Sequence, residues 1–179
     1  MKRNKAKVFL ILMGLVFMVS SCTKADAADP TNNNAVKTEG ALSVSTLTST
    51  AGGSYSPKNV VAIWLENNSG TFVKSLLVYA DTRKSDLTNW TTVSSGNTTD
   101  AIIGATQTSY ASRTCSWNGT NVSGTVVDDG IYRLCMELTD NNGTGNFHYF
   151  TFTKGKTADT QTPANVTSFS NISIVWTPK

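Results

Sequence analysis

The sequence is poor in the residues that most catalytic and metal sites require. Its 179 residues include one histidine, His148, and three cysteines. No catalytic triad and no multi-histidine metal site can be built around a single histidine. We therefore predict a protein that is not an enzyme, with no catalytic residues and no metal ligands. We expect His148 to be an ordinary residue on one face of a β-strand.

The chain also lacks an excess of charge once its start is set apart. Four of its 15 basic residues, Lys2, Arg3, Lys5 and Lys7, lie within the first seven positions, which leaves 11 basic residues against 12 acidic ones. A near-neutral remainder without a basic patch argues against nucleic acid as a partner.

No apolar run is long enough to cross a bilayer, which takes about 20 residues in a helix. The longest run covers residues 8–19 and directly follows the basic cluster. A short apolar stretch behind basic residues is typical of a signal peptide. We therefore predict that residues 1–21 are a signal sequence.

The end of this segment, Val19-Ser20-Ser21-Cys22, resembles the lipobox that lipoprotein signal peptidase recognises. The resemblance implies that Cys22 becomes the first residue of the mature protein and carries a diacylglycerol and an acyl chain such as palmitate. Several acyl chains give stable anchoring. The location expected is therefore extracytoplasmic, with the membrane as a partner through lipid. The alternative is an ordinary secretory signal in which Cys22 is incidental.

A polar spacer and one domain follow. Residues 24–39 contain almost no large apolar side chain and are rich in Ala, Asp and Asn. Such a segment cannot bury enough surface to offset the entropy lost on ordering. We interpret residues 22–39 as a lipidated flexible tether and residues 40–179 as one domain of ordinary size.

The domain shows strand patterns almost throughout. Apolar residues alternate over 42–48, whereas 60–65 is a continuous apolar run that is typical of a central strand. A turn at 67–70 predicts a hairpin with a strand over 71–79. A short helix is predicted over 84–90, with Ser85 as N-cap. Further strands are predicted over 113–117, 130–138, 147–153 and 172–176. The pattern indicates an all-β, Ig-like antiparallel β-sandwich.

Two sets of motifs resemble known families. Residues 117–132, WNGTNVSGTVVDDGIY, resemble a hairpin of the Ig-like domains in the flagellar hook-capping protein. A longer series of motifs consists of VAIWLE at 61–66, FVKSL at 72–76, Trp90, DAIIGAT at 100–106, and the 117–132 segment. In this order the motifs resemble a predicted periplasmic, flagellin-biosynthesis-like family, domain of unknown function 2271. The resemblance implies an extracytoplasmic Ig-like sandwich and no assigned chemistry.

Residues 100–106 also resemble the motif on which a flavin transferase attaches FMN covalently in the FMN-binding domains of bacterial redox pumps. The resemblance implies Thr106 as the acceptor hydroxyl and Asp100 as part of the recognition sequence. Ile103 departs from the motif, which has Ser or Thr at that position. The alternative is a glycine-containing turn between strands.

Two cysteines remain after Cys22. In an exported protein, a pair of cysteines favours a disulfide over a metal or redox site. A hairpin turn centred near Thr125 would place Cys115 and Cys135 opposite each other on neighbouring strands. We therefore predict a Cys115–Cys135 disulfide, with two buried free thiols as the alternative.

Two functions follow from these patterns. The first is a non-catalytic lipoprotein whose Ig-like domain binds or assembles with an unidentified envelope protein. The second is a membrane-tethered electron carrier with FMN bonded to Thr106.

Overall fold

Two β-sheets packed face to face make up the part of the chain that the computed structural model describes, residues 35–179. The predicted signal sequence, Cys22 and most of the predicted tether lie outside these residues. The strands are β1 (Gly40–Thr48), β2 (Val60–Asn67), β3 (Phe72–Tyr79), β4 (Ile102–Gly104), β5 (Ser112–Trp117), β6 (Gly130–Thr139), β7 (Asn146–Lys154), β8 (Asp159–Gln161) and β9 (Phe169–Pro178). A 3-10 segment, Asp81–Asp86, and helix α1, Thr88–Ser94, lie between β3 and β4.

The sheets have four and five strands. Their orders are β5-β1-β9-β8 and β4-β3-β2-β6-β7. The predicted all-β sandwich is confirmed, as is the hairpin of β2 and β3. The sandwich is not purely antiparallel, because β4 pairs parallel to β3. A parallel neighbour needs a crossover connection, and here the 3-10 segment and α1 provide it.

The inner faces of both sheets form the main core. Strand β1 alternates buried and exposed residues, as its sequence predicted. Strands β2 and β6 contribute every second side chain to the same core, since neighbouring residues of a strand point to opposite faces. The fully buried residues of this core include Leu42, Ile63, Leu65, Leu134, Met136, Leu138, Phe169, Ile174 and Trp176.

The five-stranded sheet is buried on its outer face as well. The continuous burial of β2 results from a second apolar cluster there, under the 3-10 segment and α1. Its members include Val60, Ala62, Trp64, Val78, Leu87, Trp90 and Cys135. We call this group the outer cluster. No helix within residues 35–179 is long and apolar enough to span a membrane.

The short helix lies later than predicted. Residues 84–86 are part of the 3-10 segment, and α1 begins at Thr88 without a side-chain cap from Ser85. The Glu137 carboxylate instead accepts hydrogen bonds from the backbone N–H groups of Asn89, at 3.2 Å, and Trp90, at 2.8 Å. Because this capping group comes from β6, local sequence could not reveal it.

The predicted disulfide is wrong. Residues 118–129 do not join two paired strands, because β5 belongs to the four-stranded sheet and β6 to the five-stranded one. Cys115 packs in the core between the sheets, whereas Cys135 packs in the outer cluster. Both are free, buried thiols. Burial raises the pKa of Cys115 to about 12. The chain crosses between the sheets, which separates the two side chains.

Candidate functional site

An open cleft lies on the outer face of the five-stranded sheet, beside the outer cluster. Its volume is about 330 Å³, near the lower limit of small-molecule sites. The floor consists of side chains from β2, β6 and β7: Trp64, Glu66, Arg133, Phe147 and Tyr149. The walls come from α1, with Asn89, Thr92 and Val93, and from Gly70 in the β2–β3 turn.

Three aromatic rings line one side of the cleft. Trp64 and Phe147 are stacked, with ring centroids 5.5 Å apart and planes inclined by 22°. Phe147 and Tyr149 are neighbours on the outer face of β7, with centroids 6.5 Å apart. Phe147 is 36% exposed and Tyr149 51% exposed. The buried indole thus supports a ledge of two rings that remain accessible to a ligand.

Glu66 is the most deeply buried charged residue of the cleft, at 6% exposure. The Trp64 indole N–H donates to its Oε1 atom over 2.9 Å. Its other oxygen, Oε2, has no N–H or O–H donor among the described residues, and the Cys135 thiol on the neighbouring strand is a weak donor to the carboxylate. A side chain at Gly70 would bring a Cβ to 3.8 Å from this Oε2. That distance is an ordinary van der Waals contact, and it is the positive φ of +86° that favours glycine at this turn beside the carboxylate.

Arg133 lies opposite Glu66 on the neighbouring strand. Its guanidinium lies over the Tyr149 ring, 4.9 Å from the centroid, and Nη2 donates to the backbone oxygen of Asn68 over 2.7 Å. Its Nε is buried without a hydrogen-bond partner among the described residues. None of the ion pairs in this part of the chain joins Arg133 to Glu66. Both charged groups therefore retain capacity for a third partner.

The α1 wall presents hydrogen-bond acceptors. The Asn89 side-chain N–H donates to Glu137 over 2.9 Å, and the Thr92 hydroxyl donates to the backbone oxygen of Thr88 over 2.6 Å. One N–H of Asn89 and the hydroxyl proton of Thr92 are engaged in this way, which leaves the oxygens of both side chains able to accept and a second N–H of Asn89 able to donate. The cleft thus combines aromatic faces with one carboxylate, one guanidinium and neutral acceptors.

Neither Cys135 nor His148 offers the cleft a reactive group. Burial and the neighbouring Glu66 carboxylate raise the pKa of Cys135, which makes its thiol a poor nucleophile. His148 lies on β7 facing the inner core, edge-on to Phe169, and burial lowers its pKa. Its predicted place on a strand face is confirmed. No three His, Cys, Asp or Glu side chains between residues 35 and 179 are grouped as metal ligands.

The 100–106 segment lies apart from the cleft and is not simply a turn. Lys74 pairs with Asp100 over 2.9 Å, and Ile102–Gly104 form edge strand β4. Ile103 is 64% exposed, whereas the Thr106 hydroxyl oxygen is buried without a hydrogen-bond partner among the described residues. A transferase would need access to that oxygen, so this conformation does not fit covalent FMN attachment.

The cleft was not predicted from the sequence. Trp64 and Glu66, Arg133 and Cys135, and Phe147 and Tyr149 are each spaced by two residues, which places each pair on one face of its strand. A polar residue two positions from a tryptophan in a central strand was the available signal. Strand order, which the pattern does not contain, brings the three pairs together.

Comparison with known proteins gives one match. A family model described as a predicted periplasmic protein, DUF2271, matches residues 41–169. Neither the curated proteins nor the solved structures gave a significant match. This family description supports the predicted extracytoplasmic location. The comparisons give no support to the flagellar hook-capping resemblance of residues 117–132.

Proposed function

The chain belongs to the predicted periplasmic family DUF2271, and from this premise we propose that it is a lipid-anchored binding protein that holds a small ligand in the cleft. The membrane is its partner through lipid on Cys22. We expect the domain also to bind or assemble with an envelope protein. The function requires binding and presentation of the ligand, without covalent chemistry by the chain.

The observation that carries this proposal is the half-satisfied carboxylate of Glu66. Burying a charged group is costly unless hydrogen bonds or an opposite charge compensate it. Glu66 lines the cleft. One of its oxygens has its partner in the Trp64 indole, whereas the other has no N–H or O–H donor among the described residues. Glu137, on the same sheet face, uses both oxygens to hold α1. The contrast between the two glutamates favours a ligand-binding role for Glu66.

Residues just before β1 are already bonded to the domain, which supports a fixed point at which the tether joins it. The Asp129 carboxylate accepts from the Thr38 backbone N–H at 2.8 Å, from the Thr38 hydroxyl at 2.6 Å and from the Lys154 ammonium at 2.8 Å. Burial alone would raise the pKa of Asp129, but these hydrogen bonds lower it overall. The end of the predicted tether is thus fixed at the start of β6, the strand that carries Arg133.

The anchor is tested by Cys22→Ser in the full-length protein, expressed in bacteria and followed by membrane fractionation and intact mass. We expect the unchanged protein to gain the mass of the lipid and to sediment with membranes. The variant should gain no lipid mass. Absence of lipid mass from both proteins, together with the same fractionation, would show that Cys22 is not an anchor.

The cleft is tested by proton–nitrogen correlation NMR of the indole N–H signals, with the small-molecule fraction of a periplasmic extract as the probe. We expect the Trp64 signal to shift. The Trp176 signal should stay in place, because Trp176 lies in the core between the sheets and its N–H donates to the backbone oxygen of Gly155. Glu66→Ala should abolish the shift. An extract that leaves Trp64 unmoved at every concentration overturns the binding function.

A flavin carrier is the alternative that residues 100–106 raise, and the enclosed Thr106 hydroxyl counts against it. Intact mass of the protein from cells with an active flavin transferase decides the matter. We expect the peptide that contains Thr106 to be unmodified. An FMN adduct on this peptide, absent from Thr106→Ala, would replace the binding proposal with electron transfer.

A further inference from the structure

We propose that the cleft binds a neutral pyranose sugar, as one ring or the end of a glycan. This inference rests on the proposed function, because it names the ligand class of the same cleft.

The aromatic ledge suits the apolar side of a sugar ring. Phe147 and Tyr149 present adjacent, partly exposed faces, and Trp64 supports the first of them from below. An aromatic face carries partial negative charge, and it attracts the weakly positive C–H groups that cover one side of a pyranose. A ledge of two neighbouring rings matches one or two sugar units in a cavity of about 330 Å³.

The polar groups suit hydroxyls. The free oxygen of Glu66 can accept from a hydroxyl, and the guanidinium of Arg133 can donate to one. Glu66 Oε1 and Arg133 Nη2 already have partners, so among the described residues each group has one uncommitted terminal atom, Oε2 and Nη1. Together these two atoms can bond to two neighbouring hydroxyls. The oxygens of Asn89 and Thr92 on the opposite wall provide further acceptors. Each hydroxyl of a sugar ring can both donate and accept a hydrogen bond, so such a ring can bond to the carboxylate, the guanidinium and the neutral groups of the cleft.

The charges favour a neutral ligand over a cation. Aromatic rings beside a carboxylate could otherwise hold a quaternary ammonium group. Here the Arg133 guanidinium already occupies a face of Tyr149, 4.9 Å from its centroid. It also offsets the formal charge of Glu66 within the cleft. A second cation would therefore meet repulsion next to Tyr149, whereas a neutral sugar meets none there and can use the exposed parts of Phe147 and Tyr149 that Arg133 leaves uncovered.

The experiment is saturation-transfer difference NMR with glucose, N-acetylglucosamine and their β-1,4-linked disaccharides as probes, and tetramethylammonium as the cationic comparator. We expect transfer to the sugar C–H protons, a shift of the Trp64 indole signal, and tighter binding of the disaccharides. Tyr149→Ala should weaken binding about tenfold, the effect of losing one aromatic contact.

The structure offers a matched control for Tyr149. Tyr55 is also about half exposed, at 49%, and also lies under an arginine, with Arg83 4.8 Å from its ring centroid. It is not part of the cleft. Tyr55→Ala should leave sugar binding unchanged.

Glu66→Gln tests the polar contact. It should weaken sugar binding while the NMR spectrum remains that of a folded protein.

The outcomes separate the ligand class from the proposed function. If tetramethylammonium shifts Trp64 and the sugars do not at tens of millimolar, the sugar proposal is overturned while the cleft remains a binding site. The same holds if only the periplasmic extract shifts Trp64. If sugars, cation and extract all leave Trp64 unmoved, both proposals fail. Equal loss of binding in Tyr149→Ala and Tyr55→Ala would also overturn the assignment to this cleft.

Discussion

The outer faces of the two sheets differ, although both belong to one sandwich. The outer face of the four-stranded sheet carries short neutral side chains, including Ser43, Thr114, Ser116, Ser173 and Val175. That of the five-stranded sheet carries the outer cluster, helix α1 and buried charges such as Glu66 and Glu137. A sandwich requires only its inner faces to be apolar. The second buried layer therefore exceeds what the fold needs, and the cleft lies at its edge.

The largest effect expected from this difference is on stability. Trp90 is fully buried between α1 and the sheet, and its indole N–H donates to Ser75 over 2.9 Å. Trp90→Ala should lower the free energy of unfolding by about 3–5 kcal/mol, because it leaves a large cavity. Urea denaturation measures this. Val175→Ala, on the other outer face, is the control and should cost far less; equal losses would contradict a second core.

A smaller effect is expected where a charge holds the helix. Glu137→Gln should destabilise the protein by about 2 kcal/mol, since an amide cannot accept with both terminal atoms and leaves a buried N–H group of α1 without a partner. Glu66→Gln is the matched variant. Its loss in urea denaturation should be smaller, because Glu66 accepts from one N–H group whereas Glu137 accepts from three. The reverse order would assign Glu66 a structural role.

The thiols test whether the outer cluster is as tightly closed as the inner core. Burial raises the pKa of Cys115 to about 12, from an ordinary value of 9.0. The folded form therefore keeps its proton while the unfolded form loses it, so this stability is present below pH 9 and is lost as the pH rises towards 12. Cys115→Ala should flatten the alkaline decline in unfolding free energy.

In native protein at pH 8, we expect a thiol reagent to label neither Cys115 nor Cys135. Rapid labelling of Cys135 alone would show an open outer cluster.

The smallest effect is expected on the exposed face of the four-stranded sheet. Thr114→Ala should change the free energy of unfolding by less than about 0.5 kcal/mol, as is usual for surface substitutions. Ligand-induced shifts of the Trp64 signal should also be unchanged. A loss of either property would mean that this face has a role of its own.

Most strands could be predicted because their patterns are local. The alternation over 42–48 and the apolar run over 60–65 correspond to β1 and β2, since side-chain direction alternates residue by residue. Two short strands, β4 and β8, were missed because three residues contain too little pattern. The Cys115–Cys135 pairing failed for another reason. It assumed that consecutive strands are neighbours, whereas the chain changes sheets between Trp117 and Gly130.

The sequence by itself determined the β class of the protein, the position of its main strands and the family to which it belongs. These properties depend on local side-chain periodicity, turn chemistry and motif order, all of which are written along the chain. Only the tertiary structure decided the cap of α1, the separation of the cysteines and the cleft itself. Each of these depends on which strands are neighbours. Glu66, Arg133 and Tyr149 come together because β2, β6 and β7 pair in that order, and strand pairing is set by the packing of the whole domain.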